Sequence, residues 1–113
     1  MIKLVSTFIL IVYCQLKATF SVVAIDTLTG QIGSAGASCI SNSIIISDML
    51  PGIGVIHTQS YWNEINQDSA GNLMEQGYSP QEIIDWLVNN DAENNPSIRQ
   101  YGIISHFEGG SRS

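Results

Sequence analysis

The run IGSAGASCI, from Ile32 to Ile40, is built largely from glycine, alanine and serine. Gly33, Ala35, Gly36 and Ala37 give a strand with little side-chain volume, which leaves room for another backbone or a ligand to come close. The run before it, TFSVVAID, alternates in the manner of a strand. TLTGQ lies between the two, with Gly30 placed to take the positive φ that a tight turn needs. A β-hairpin is therefore predicted, opening at Thr19.

Ahead of it, residues 1–18 read MIKLVSTFILIVYCQLKA, with Lys3 before an apolar run from Leu4 to Cys14 and Ala18 at the end. This is the pattern of a secretory signal peptide, predicting cleavage after Ala18 and export to the periplasm or beyond. The apolar run is shorter than the roughly 20 residues that span a bilayer, so no stable membrane span is expected. Acylation of Cys14 would need small residues before it, and Val12 and Tyr13 are large. Cleavage leaves Arg99 and Arg112 as the only basic side chains against ten acidic ones. Such a surface repels phosphate backbones, which argues against a nucleic-acid partner. Only Cys39 remains, so no intrachain disulfide can staple the core. A chain of 113 residues, 44% hydrophobic and 12% charged, suits one small globular unit.

Farther along, SIIISDM predicts a third strand ending at Leu50-Pro51-Gly52, and GVIHTQ a fourth. From about Asn63 to Gln76 the apolar residues Ile65, Ala70, Leu73 and Met74 have helical spacing, with Gly77 as C-cap. Ser79-Pro80-Gln81-Glu82 forms a capping box with proline at the first helical position. It opens a second helix carrying Ile83, Ile84, Trp86, Leu87 and Val88. NNDAENNP reads as a polar connection and SIRQYGIISHF as a returning strand. Strands, then two helices, then a strand predict an α+β fold, an antiparallel sheet with a helix pair on one face. YGIISHFEGG is followed only by SRS, where a hairpin partner is expected. The domain over 19–113 thus reads as cut short at its C-terminus, with a last edge that favours homo-oligomer formation.

Thr19 is the main candidate for chemistry. As the first residue after cleavage it would own both a hydroxyl and a free α-amine, whose ordinary pKa is about 7.7 to 8.0. The amine can then act as general base for the hydroxyl, so nucleophile and base come from one residue. The simpler reading is a β-former opening a strand. Ser38, Ser41, Gln59 and Asn63 are candidates for orienting water or binding substrate. Cys39 with His57 as its base is a further pairing, set against a small buried hydrophobe. His57 and His106 lack HxH or HExxH spacing, so neither a metal nor a cofactor is expected. Asp26 and Asp48 end apolar strands and suit turn-capping. Tyr61 and Trp62 could stack a sugar or peptide, or anchor the helix onto the sheet. Burial is favoured because large aromatics gain most of their free energy from it.

TFSVVAIDTLTGQIGSAGAS resembles the opening of the bacterial family catalogued as domain of unknown function 1028. The likeness continues through PGIGVIHTQSYWN and QGYSPQEIIDWLVNND and covers essentially all of residues 19–106. It implies membership of the N-terminal-nucleophile (Ntn) hydrolases, whose fold is a four-layer αββα sandwich, with this chain supplying the first half. It also implies that Thr19 takes the nucleophile's place. Proteasome-type members set a lysine near the threonine, whereas residues 19–98 here contain no Lys or Arg. The expected function is an exported hydrolase of a small amide or peptide. The alternative is a noncatalytic exported module that binds a peptide or cell-wall fragment.

Overall fold

The computed structural model describes residues 19–107 and 110–112; the leader expected over 1–18 lies outside them. Strand β1 (Phe20–Ile25) pairs antiparallel with β2 (Ile32–Ala37), from Phe20 opposite Ala37 to Ile25 opposite Ile32. The connecting turn is closed by Asp26 N–H donating to the Gln31 carbonyl and Gly30 N–H to the Asp26 carbonyl, both at 2.8 Å. Gly30 has φ +71°, as the turn chemistry required. The Asp26 carboxylate accepts from the backbone N–H groups of Leu28 and Thr29, and these bonds hold its pKa below the usual range.

A second antiparallel sheet runs in the order β3 (Ser47–Leu50), β4 (Gly54–Gln59), β5 (Gln100–Phe107), β6 (Gly110–Arg112). Between β4 and β5 come α1 (Glu64–Glu75) and α2 (Pro80–Asn89). β4 is buried along its length until Gln59 and packs on both sides. Ile56 joins Leu50 and Ile103 against Ala70 and Met74 of α1 and Ile83 and Leu87 of α2. His57 and Gln59, which point the other way, meet Ser34 and Ser21 of the hairpin. The layers are therefore hairpin, sheet, helix pair. Ile56, Ile83 and Leu87 are fully buried, each contributing about 1.5–3 kcal/mol of transfer free energy.

The capping box forms as predicted: Glu82 N–H donates to Ser79 Oγ, and Ser79 N–H donates to the Glu82 carboxylate at 2.8 Å. α1 is closed just beyond its Gln76 C-cap by Gly77, whose φ of +87° lets Tyr78 N–H reach the Leu73 carbonyl. Among the described residues no helix is long and apolar enough to cross a membrane.

Several local expectations are overturned. Ser43–Ile46 is a 3-10 turn, and the third strand begins only at Ser47. Here the chain passes from one sheet to the other, and the turn buries Ile46 while leaving Ile44 outside, so tertiary geometry overrides the β propensity of the isoleucines. Pro96–Ile98 is likewise a 3-10 turn, not the start of β5. Ile65 is 66% exposed, and the buried side of α1 contains Asn66 and Gln67 instead. Trp86 and Val88 of α2 are exposed. β6 pairs with β5, so the strand that seemed to lack a partner has a short one. Phe20 and Val22 stand exposed on the hairpin's outer face; among the described residues no helical layer covers them.

Candidate active site

Thr19 precedes β1 and faces Ser38 across the open end of the hairpin, their hydroxyl oxygens 2.8 Å apart. Both line a cleft of about 230 Å³ with Ile46, Gln59, Tyr61 and Trp62. The fold thus brings together Thr19, Ser38 and Gln59, three of the residues singled out in the sequence. Gln59 stands at the end of β4, where its side-chain oxygen accepts from Ser21 at 3.4 Å. Asn63 is not brought in: it is the N-cap of α1, accepting from Asn66 N–H at 3.0 Å and donating to Glu93. Ser41 is exposed and does not line the cleft.

One wall of the cleft is a backbone turn in which Ser60 and Tyr61 both take left-handed φ, +60° and +62°. For non-glycine residues this costs of order 1–3 kcal/mol each and persists only where the surroundings enforce it. The enforcing group is Arg99, whose Nη1 donates to the Tyr61 carbonyl. Its Nε donates to Asp91 at 2.9 Å and its Nη2 to Glu93 at 2.5 Å. Asp91 is buried and also accepts from Asn66 Nδ2 and from the backbone N–H of Glu93 and Asn95. Asn66 donates further to the Tyr101 hydroxyl and accepts from Ala92 N–H. Arg99 above all holds the Asp91 carboxyl well below the usual range, while burial pushes the Tyr101 hydroxyl up. Next to the turn, Trp62 Nε1 donates to Gln67 at 2.6 Å.

In the sequence NNDAENNP reads only as a polar connection, with no sign within it of this network. A signal was present: Arg99 is the first cation after Lys17 and needed a carboxylate partner. Tyr61, expected to be buried, is 72% exposed at the rim, because the left-handed turn throws its ring outward; Trp62 is half-buried.

His57 does not serve Cys39. β2 stops at Ala37, so Cys39 falls in the following bend, exposed and unpaired with any cysteine, and the expected buried hydrophobe is not found. His57 Nε2 lies 2.6 Å from Ser34 Oγ, which lies 2.8 Å from Ser47 Oγ. Burial lowers the His57 pKa and keeps the ring neutral at pH 7. His106 is half-buried on β5, and among the described residues its Nδ1 has no hydrogen-bond partner. Asp48 does not cap a turn. It lies in β3 and lines, with Asp68 and Glu75, an acidic cleft of about 470 Å³. Burial, then Asp68 and Glu75, raise its pKa.

Two antiparallel sheets and two helices, with a hydroxyl-lined cleft where the first strand begins, define an α+β protein whose polar groups gather at the head of β1. The chain belongs to the family described as "Family of unknown function (DUF1028)", whose profile matches residues 19–111. The match thus begins at Thr19. No curated protein and no solved structure matches the chain.

Proposed function

We propose that the protein is an exported amide hydrolase of the Ntn kind, with Thr19 as its nucleophile once residues 1–18 are removed. The hairpin, sheet and helix pair would then be three layers of an αββα sandwich. The observation that carries this reading is the position of Thr19, at the head of β1 with its hydroxyl 2.8 Å from Ser38 in a cleft. In the reaction, Thr19 Oγ1 attacks the amide carbonyl while the freed α-amine takes its proton. The leaving amine departs with that proton, and water resolves the ester on Thr19. Ser38 orients the nucleophile, and the Gln59 amide is a donor for the developing oxyanion. The substrate is a small amide or peptide.

The test is N-terminal sequencing of the exported protein followed by a screen of amide substrates. The expected outcome is a chain starting at Thr19 whose turnover disappears in Thr19→Ala while the fold persists. An alanine variant as active as the parent overturns the proposal.

A noncatalytic binding module is the second reading. It is favoured by the exposed Tyr61 ring beside Trp62 at the rim and by the lack of any lysine or arginine from Thr19 to Ile98. It predicts peptide or glycan binding that survives acetylation of the Thr19 amine.

A further inference from the structure

Ser34 lies in β2, four residues before Ser38, and lines a different cleft. We propose that Ser34, with His57 as its general base, is a second nucleophile that takes short, uncharged acyl groups from small esters.

A serine hydroxyl is a weak nucleophile until an adjacent base accepts its proton. His57 Nε2 is 2.6 Å from Ser34 Oγ, within the reach that proton transfer requires. His57 is 2% exposed and lies within β4, so the base is held in place. Burial lowers its pKa and so leaves it in the neutral form, the one with a free ring nitrogen, near pH 7. When the Ser34 proton points to His57, the 2.8 Å contact with Ser47 must be a bond donated by Ser47, which sets the proton order around Ser34.

Ser34 is half-buried and opens onto a cleft of about 120 Å³ with Gly36, Ser43, Ile44, Ser47 and His57. At roughly 30 Å³ per water this is room for about four waters, or an acetyl or propionyl group. Among the described residues no carboxylate, lysine or arginine lines it, which selects against charged acyl groups. Gly36 has no side chain to obstruct the approach, and a Cβ there would press on Ile46 Cδ1 at 3.2 Å.

The chemistry balances within the cleft. Ser34 Oγ bonds to the ester carbonyl carbon as His57 Nε2 takes the hydroxyl proton. The ester C–O bond breaks, and the leaving alcohol carries that proton away. Water then attacks the acyl-Ser34, His57 takes its proton and returns it to Ser34 Oγ, and the carboxylic acid departs. With the Ser47 proton committed to Ser34, the Ser43 hydroxyl in the cleft lining is the side-chain donor left for the oxyanion.

The experiment treats the full 113-residue chain, in which Thr19 has no free amine, with p-nitrophenyl acetate and separately with phenylmethylsulfonyl fluoride. Peptide mass mapping of the unaltered protein is expected to find both adducts on Ser34, with labelling lost in denaturant. Ser34→Ala should remove the nitrophenol burst, and His57→Gln should slow acylation about 100-fold or more. No adduct on Ser34, or one that forms equally on other serines, overturns the proposal. So does acylation at the parent rate in a folded His57→Gln variant.

Discussion

Asp91 and Arg99 form an ion pair 2.9 Å long with both side chains 1% exposed, and the same guanidinium holds the carbonyl of Tyr61 in the cleft wall. The segment from Asp91 to Asn95 and the wall of the Thr19 cleft are thereby tied to one buried carboxylate. Asp91→Asn should lower stability by about 3 kcal/mol, because it leaves a buried guanidinium with only the exposed Glu93 carboxylate as counter-charge. The pH dependence follows from the lowered carboxyl pKa. The folded state favours the ionised form, so the stabilisation is complete above about pH 5 and is lost as pH falls through 3.8 toward the lower folded value. Urea titrations from pH 7 to pH 2 should show this loss in the parent and a flatter profile in the variant.

Asp48 should behave in the opposite sense. Its pKa is raised by burial and by the neighbouring carboxylates, so the folded state holds its proton more tightly than the unfolded chain. Its effect favours folding below pH 3.8 and fades as pH rises through the raised value, where a charge must form in an acidic cleft. Asp48→Asn should therefore raise the thermal midpoint at pH 7 and leave it nearly unchanged at pH 3. Melting curves at the two pH values check this.

Gly54→Ala should be among the most damaging single changes. A Cβ there would collide with the Ile104 carbonyl and come within 2.7 Å of Met74 Sδ and 3.0 Å of Ser105 Cα. Met74 can turn aside, but the β5 backbone cannot without breaking its ladder with β4. A loss of about 3 kcal/mol is expected, measured as a lower urea midpoint or, at the limit, insoluble protein.

At the proposed active site, Ser38→Ala removes the hydrogen bond between Ser38 and the Thr19 hydroxyl. A hydrogen bond of about 1 kcal/mol, if it orients the nucleophile, corresponds to roughly a fivefold loss of kcat with little change in KM. Steady-state kinetics on an amide substrate would separate the two. An unchanged kcat would show that Ser38 only pins the hairpin's end.

The sequence by itself determined the local elements whose signals lie within a few residues: the turn at Gly30, the Ser79 capping box and the stop at Gly77. It also singled out Thr19, Ser38 and Gln59, because polar residues at the ends of apolar strands stand out in the chain. Asn63, grouped with them in the sequence, is the N-cap of α1 and does not line the cleft; a helix N-cap and a site residue look alike until the helix is docked. Only the tertiary structure decided that the β propensity of Ile44, Ile45 and Ile46 yields to a 3-10 turn, that Asp91 is buried, and that His57 belongs to Ser34 and not to Cys39. These last two depend on contacts between residues 8 to 38 apart, whose free energy comes from packing and from burying charge with a partner, neither of which has a period in the sequence.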